Sequence, residues 1–190
     1  SFIYEDNRFD WQRLESEKFD IAWVSGDLEF GQILMNTAEA GLAAAQTILP
    51  VDMAESLRIY VYPSAPELQS AIKLTSLPWA AGHANPDLGV ILISITPGPD
   101  ARAEMERQIP HEFVHILEYQ VLGSSYDRAP MWLLEGLASL GEMYPNPDYL
   151  SVLETAVDED SLVPLAALCE TFPRDLSGAT LAYAQSTSFV

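Results

Sequence analysis

Two of the three histidines in this 190-residue sequence stand four residues apart, in His111-Glu112-Phe113-Val114-His115. At helical pitch, residues four apart lie on one face with β-carbons about 5–6 Å apart, so both imidazoles point the same way. Phe113, Val114, Ile116 and Leu117 surround them with the apolar content of a buried helix. That helix is expected to enter after Thr96-Pro97-Gly98-Pro99-Asp100 and to stop at Gly123. The rest of the chain has to bury this helix and still leave its paired imidazoles something to bind.

A zinc ion suits such a pair: Zn–N bonds are about 2.0–2.1 Å, and a tetrahedral site with three protein ligands keeps a fourth position for water. Glu112 lies about 100° round the helix from His111, where its carboxylate can reach that water without ligating the metal. A surface helix can carry the pentapeptide by chance, and a third ligand from another element separates the two cases. Glu135 fits best. Nineteen residues separate it from His115, enough to finish one helix, cross Gly123–Pro130 and start a second at Met131. Its neighbours Trp132, Leu133, Leu134 and Leu137 are apolar, so an ionised carboxylate there is costly unless a cation meets it. Glu118, farther along the first helix, is better suited to supporting the site or facing solvent. Asp127, on the connecting loop, is the ligand of an aspartate-type alternative or else a turn former. The longer HExxHxxGxxH pattern is excluded, because Glu118 and Val121 occupy its Gly and His positions. His83 reads as a strand histidine, hydrogen-bonded or in contact with substrate.

Upstream, strand and helix signals alternate. Phe19–Val24 reads as a strand, Asp27 caps a long helix ended by Pro50, Leu57–Tyr62 is a second strand, and Pro66–Leu74 is a short helix. Trp79–Ala84 and Leu88–Ile95 flank the turn signal Asn85-Pro86-Asp87 and suggest a hairpin or two successive strands. After Gly123 the pattern is helical or irregular, through Met131–Met143, Tyr149–Val157, Leu162–Glu170 and Gly178–Val190. The fold class is therefore α+β: an N-terminal mixed sheet with helices, then a helical C-terminal half. Residues 1–190 read as one domain, with 1–18 as a linker or N-terminal extension and the whole as part of a longer chain.

Nine basic residues against 28 acidic ones give a net charge of −19, which repels phosphate backbones and argues against nucleic acid as a partner. The single cysteine, Cys169, cannot close an internal disulfide and reads as a buried structural thiol. No stretch approaches the roughly 20 apolar residues of a membrane span. No DxDxDG-type calcium loop is present. Oligomeric state, cleavage specificity and endo- versus exo-action leave no signal in the sequence.

HEFVH followed by WLLEG, at thermolysin-type ligand spacing, resembles the gluzincin clan of metallopeptidases. IPHEFVHILEYQ with PMWLLEGLASLGE is more specifically similar to the peptidase MA-like domains of bacterial exported proteins. The resemblance is strongest over residues 109–142. It implies a zincin-like fold, one Zn²⁺ held by His111, His115 and Glu135, and peptide-bond hydrolysis in which Glu112 activates a zinc-bound water. It also implies an extracytoplasmic setting, secreted or at the cell surface. Part of Leu88–Ile95, including Gly89 and Val90, would border the cleft and pair with an extended peptide, with His83 nearby. Tyr183, in the segment similar to the helix that closes the site, would donate to the oxyanion. The alternative on the same fold is a catalytically inactive module that binds zinc or peptide.

Overall fold

A computed structural model describes residues 6–72 and 82–190. Its sheet has five strands: β1 (Gln12–Glu15), β2 (Phe19–Trp23), β3 (Leu57–Tyr62), β4 (Gly82–Asn85) and β5 (Val90–Ser94). Their spatial order is β1-β2-β3-β5-β4. β2, β3 and β5 run parallel, and the short strands β1 and β4 lie antiparallel at the two edges. Central β3, LRIYVY, is apolar on both faces because helices or aromatic side chains cover both.

On one face, α1 (Leu28–Ile48) and α3 (Ala101–Leu122) pack on Ile21, Trp23, Ile59, Val61, Ile91 and Ile93. Asp27 caps α1 by accepting from the Phe30 N–H at 3.0 Å. Small residues on α1 let α3 come close: a β-carbon at Gly41 would sit 3.4 Å from the Pro110 ring. Phe113 stacks on Phe19 at 5.4 Å, seating the middle of α3 on the sheet. On the other face α2 (Ala65–Ile72) places Leu68 against Ala22, Tyr60 and Tyr62, and Phe9 and Trp11 close that layer.

The second half is helical, with α4 (Met131–Leu140), α5 (Tyr149–Asp158), the single turn α6 (Leu165–Leu168) and α7 (Leu176–Phe189). Gly136 brings α4 against the α7 backbone, where any β-carbon would stand 2.6 Å from the Ser186 carbonyl oxygen. Among the described residues no helix is long and apolar enough to cross a membrane.

Three sequence expectations change. Residues 6–15 are no loose extension: β1 pairs with β2, and Trp11 donates its indole N–H to the Asp6 carbonyl at 2.8 Å. Cys169 is exposed, because Leu168 takes the inward position of the one-turn α6. The stretch read as one strand from Leu88 divides into a 3₁₀ turn (Pro86–Leu88), a left-handed Gly89 at φ 61° and β5. The helix expected to run to Leu74 is described to Ile72; residues 73 and 74, like 79–81 of the expected hairpin, lie outside the described residues.

Candidate metal centre

α3 carries His111 and His115 on the face turned toward α4, and α4 presents Glu135 to them. One ligand atom from each of the three residues lies within 4.8 Å of the others. Glu135 Oε2 stands 3.2 Å from His111 Nε2 and 3.6 Å from His115 Nε2. A tetrahedral zinc sphere with bonds of ~2.1 Å has edges of about 3.4 Å, so both edges already have coordination size.

The other nitrogen of each imidazole is held from behind. His111 Nδ1 lies 3.0 Å from Glu142 Oε1, and His115 Nδ1 lies 2.9 Å from Glu118 Oε2. These contacts fix the ring orientations and turn each Nε2 toward Glu135, as carboxylate partners do behind histidine ligands. Glu118 thus supports the site, and Asp127, exposed on the 3₁₀ segment Gly123–Arg128, stays outside the ligand group. Glu142 was missed in the sequence. It stands just past the end of α4, so no helical spacing along the sequence ties it to His111.

Four carboxylates, from Glu112, Glu118, Glu135 and Glu142, crowd around two imidazoles in largely buried surroundings. Glu118 Oε1 and Glu142 Oε2 have no hydrogen-bond partner among the described residues. Such an excess of buried negative charge is costly without a cation. The titration behaviour reflects it. Burial opposes charge on His111, but hydrogen bonds to Glu135 and Glu142 outweigh it and lift the ring to about 9. His115 moves up in the same way, against its own burial, chiefly through the charge of Glu135. Burial would raise Glu135, yet His115 and the hydrogen bonds from both rings hold it well below the usual carboxylate range. Glu112, which bonds neither ring, is raised by burial despite the nearby histidines. In that state it is disposed to take up a proton.

Two cavities meet at this centre. One, of about 680 Å³, runs past His115, Tyr126 and Leu134; the other, of about 260 Å³, runs past Arg107, Tyr149 and Leu176. Both are lined by Gly82, His111, Glu112 and Tyr183, which form a waist between the arms. At Gly82 the edge strand passes so close to Glu112 that a β-carbon would collide with its carboxylate. Tyr183 sits 6.1 Å from the His111 ring, centroid to centroid. Burial, together with Glu135, to which its hydroxyl is hydrogen-bonded, keeps Tyr183 well above the ordinary phenol range. Tyr126 lines the larger arm and is pushed up to about 12 by burial; it lies in a loop read only as a connection, with no motif to mark it.

His83 is exposed on β4 and lines the larger arm, in register with Leu92. Gly89 and Val90 do not reach the cleft. Val90 is paired with Arg58 on one side and Asn85 on the other, and the Gly89 carbonyl accepts from Arg58 N–H at 2.9 Å. β5 is an interior strand whose backbone groups are engaged on both sides, so among the described residues the sheet edge on this side is β4.

A mixed five-stranded sheet covered by helices, with a His-His-Glu group beside a cleft, is compatible with a metallopeptidase-like domain. The family model described as the peptidase MA superfamily matches residues 37–190, and the chain belongs to that superfamily. No curated protein matches the chain.

Proposed function

We propose that this domain is a zinc-dependent peptidase of zincin-like, gluzincin type, with His111, His115 and Glu135 as ligands and Glu112 as general base. The observation that carries the reading is the convergence of both Nε2 atoms on Glu135 at 3.2 and 3.6 Å, with Glu112 at the waist of the cleft. Two imidazoles and one carboxylate are a catalytic zinc donor set that leaves a coordination position open. Zinc, when bound, supplies Lewis acidity toward a water and the scissile carbonyl.

Glu112 takes the proton of the attacking water and returns it to the leaving nitrogen, and its raised pKa suits a group that both accepts and donates. Tyr183 at the waist and Tyr126 in the larger arm carry hydroxyls for the developing oxyanion. Glu118 and Glu142 keep the imidazoles oriented. With an arm on each side of the waist, a peptide chain continues in both directions from the reacting bond, so the reading extends to internal bonds. His83 and the edge of β4 are the candidate peptide contacts. An extracytoplasmic setting belongs to this reading through the family resemblance, and fractionation of the native host checks it.

The test uses a library of peptides blocked at both ends. Zinc-loaded wild type is expected to cleave it, while Glu112→Gln retains the metal and cleaves nothing. Cleavage by the variant contradicts the role of Glu112. Failure of zinc-loaded wild type to cleave any peptide, blocked or free, favours a binding module.

A further inference from the structure

Pro110 lies inside α3, immediately before His111. An interior proline removes one helical hydrogen bond and costs about 3 kcal/mol in an isolated helix. The bond lost here is the one to the carbonyl of Glu106. That oxygen is not left over: it accepts from the Met143 N–H at 2.9 Å and the Tyr144 N–H at 3.3 Å. The residue just before Met143 is Glu142, whose Oε1 is 3.0 Å from His111 Nδ1.

Two further contacts seat the same segment on α3. Arg107 donates Nε to the Tyr144 carbonyl at 3.4 Å and lays its guanidinium over the Tyr144 ring at 5.6 Å. Gly141 lets the chain pass Val114, whose side chain leaves no room for a β-carbon. The Glu142 carboxylate is thus carried by a short stretch anchored on a carbonyl for which a proline at position 110 leaves no competing helical N–H.

We infer that Pro110 is a positioning residue for the metal centre: it frees the Glu106 carbonyl to dock Met143 and Tyr144, and the docked segment holds Glu142 on His111. The inference rests on the metal-site reading above. Proline at this point also packs against Gly41 of α1, which is the purely structural explanation. The two differ in what Pro110→Ala does. If packing is the whole role, the variant affects stability and leaves metal affinity alone. If Pro110 positions Glu142, the backbone N–H that the variant gains at position 110 competes for the Glu106 carbonyl, and affinity falls although the helix itself gains a hydrogen bond.

Zinc affinity, measured by competition with a chelator, is expected to fall by about 10–100-fold in Glu142→Gln, the range for loss of a carboxylate behind a histidine ligand. Pro110→Ala should lose at least about tenfold, and the double variant no more than the worse single one, because both act through one contact. Amide exchange of metal-free protein supplies a second readout: Met143 is protected in wild type and loses protection in Pro110→Ala. Unchanged affinity in Pro110→Ala, multiplied losses in the double variant, or unchanged exchange at Met143 each overturn the inference. Wild type that binds no zinc overturns the metal-site reading instead, and Met143 exchange still reports on the docking.

Discussion

In the metal-free protein the site should make stability fall as pH rises through the neutral range. His111 is lifted from 6.5 to about 9 because its neighbours favour the charged ring over the cost of burial. Its folded pKa lies above its unfolded one, so the stabilisation is fully present below pH 6.5 and is lost as pH rises through 9. At ~1.4 kcal/mol per pH unit, the shift is worth about 3 kcal/mol. For a domain of this size each kcal/mol moves the melting temperature by ~2–4 °C, which gives a fall of about 6–12 °C across the window. His115 adds to it with the same sign. Zinc has the opposite dependence, because a ligand ring must shed its proton to bind, and affinity gains about tenfold per pH unit for each proton displaced. Thermal unfolding from pH 6.5 to 9, in chelator and in zinc-buffered solution, should therefore show the two melting curves separating as pH rises. His111→Asn in chelator should lose the share of the slope that His111 contributes, and His115 keeps the rest. A metal-free melting temperature that stays flat or rises, or a zinc-induced gap that does not widen, refutes the reasoning.

Other perturbations separate the base from the metal. Gly82→Ala should push Glu112 aside without touching the ligands, lowering kcat/KM by about 100-fold, the cost of a misplacement near 1 Å, while zinc affinity stays unchanged; equal activity would mean that the strand does not position the base. Tyr183→Phe should lower kcat by about 100–1,000-fold with little change in KM if its hydroxyl meets the oxyanion. Steady-state kinetics of Tyr126→Phe beside it identifies which tyrosine donates, and full activity in both variants removes the role from both.

The parts of the site that depend on spacing along one helix were legible in the sequence, and those that depend on how elements meet were not. His111, Glu112 and His115 follow from the 3.6-residue period, and α3 runs from Ala101 to Leu122 as its entry signals and Gly123 indicate. Glu135 was legible because an acid among Trp132, Leu133 and Leu134 has to find a cation. Glu142 was not, since it stands just past the end of α4 and meets His111 only through the docking of its loop on α3. Val90 misled for a related reason. Its apolar run marks a buried strand, but the run does not tell which strand takes the edge, and among the described residues the four of β4 take it instead. Cys169 misled because apolar neighbours in a single helical turn do not all face inward.

The most direct test of the metal centre is the zinc content of wild type, His115→Ala and Glu135→Gln, each purified without added metal and then offered zinc and dialysed. Wild type is expected to hold close to one zinc per chain, and each variant far less while keeping its secondary structure. A wild type that stays metal-free after zinc is offered, or variants that retain as much zinc as wild type, would contradict a site built from His111, His115 and Glu135.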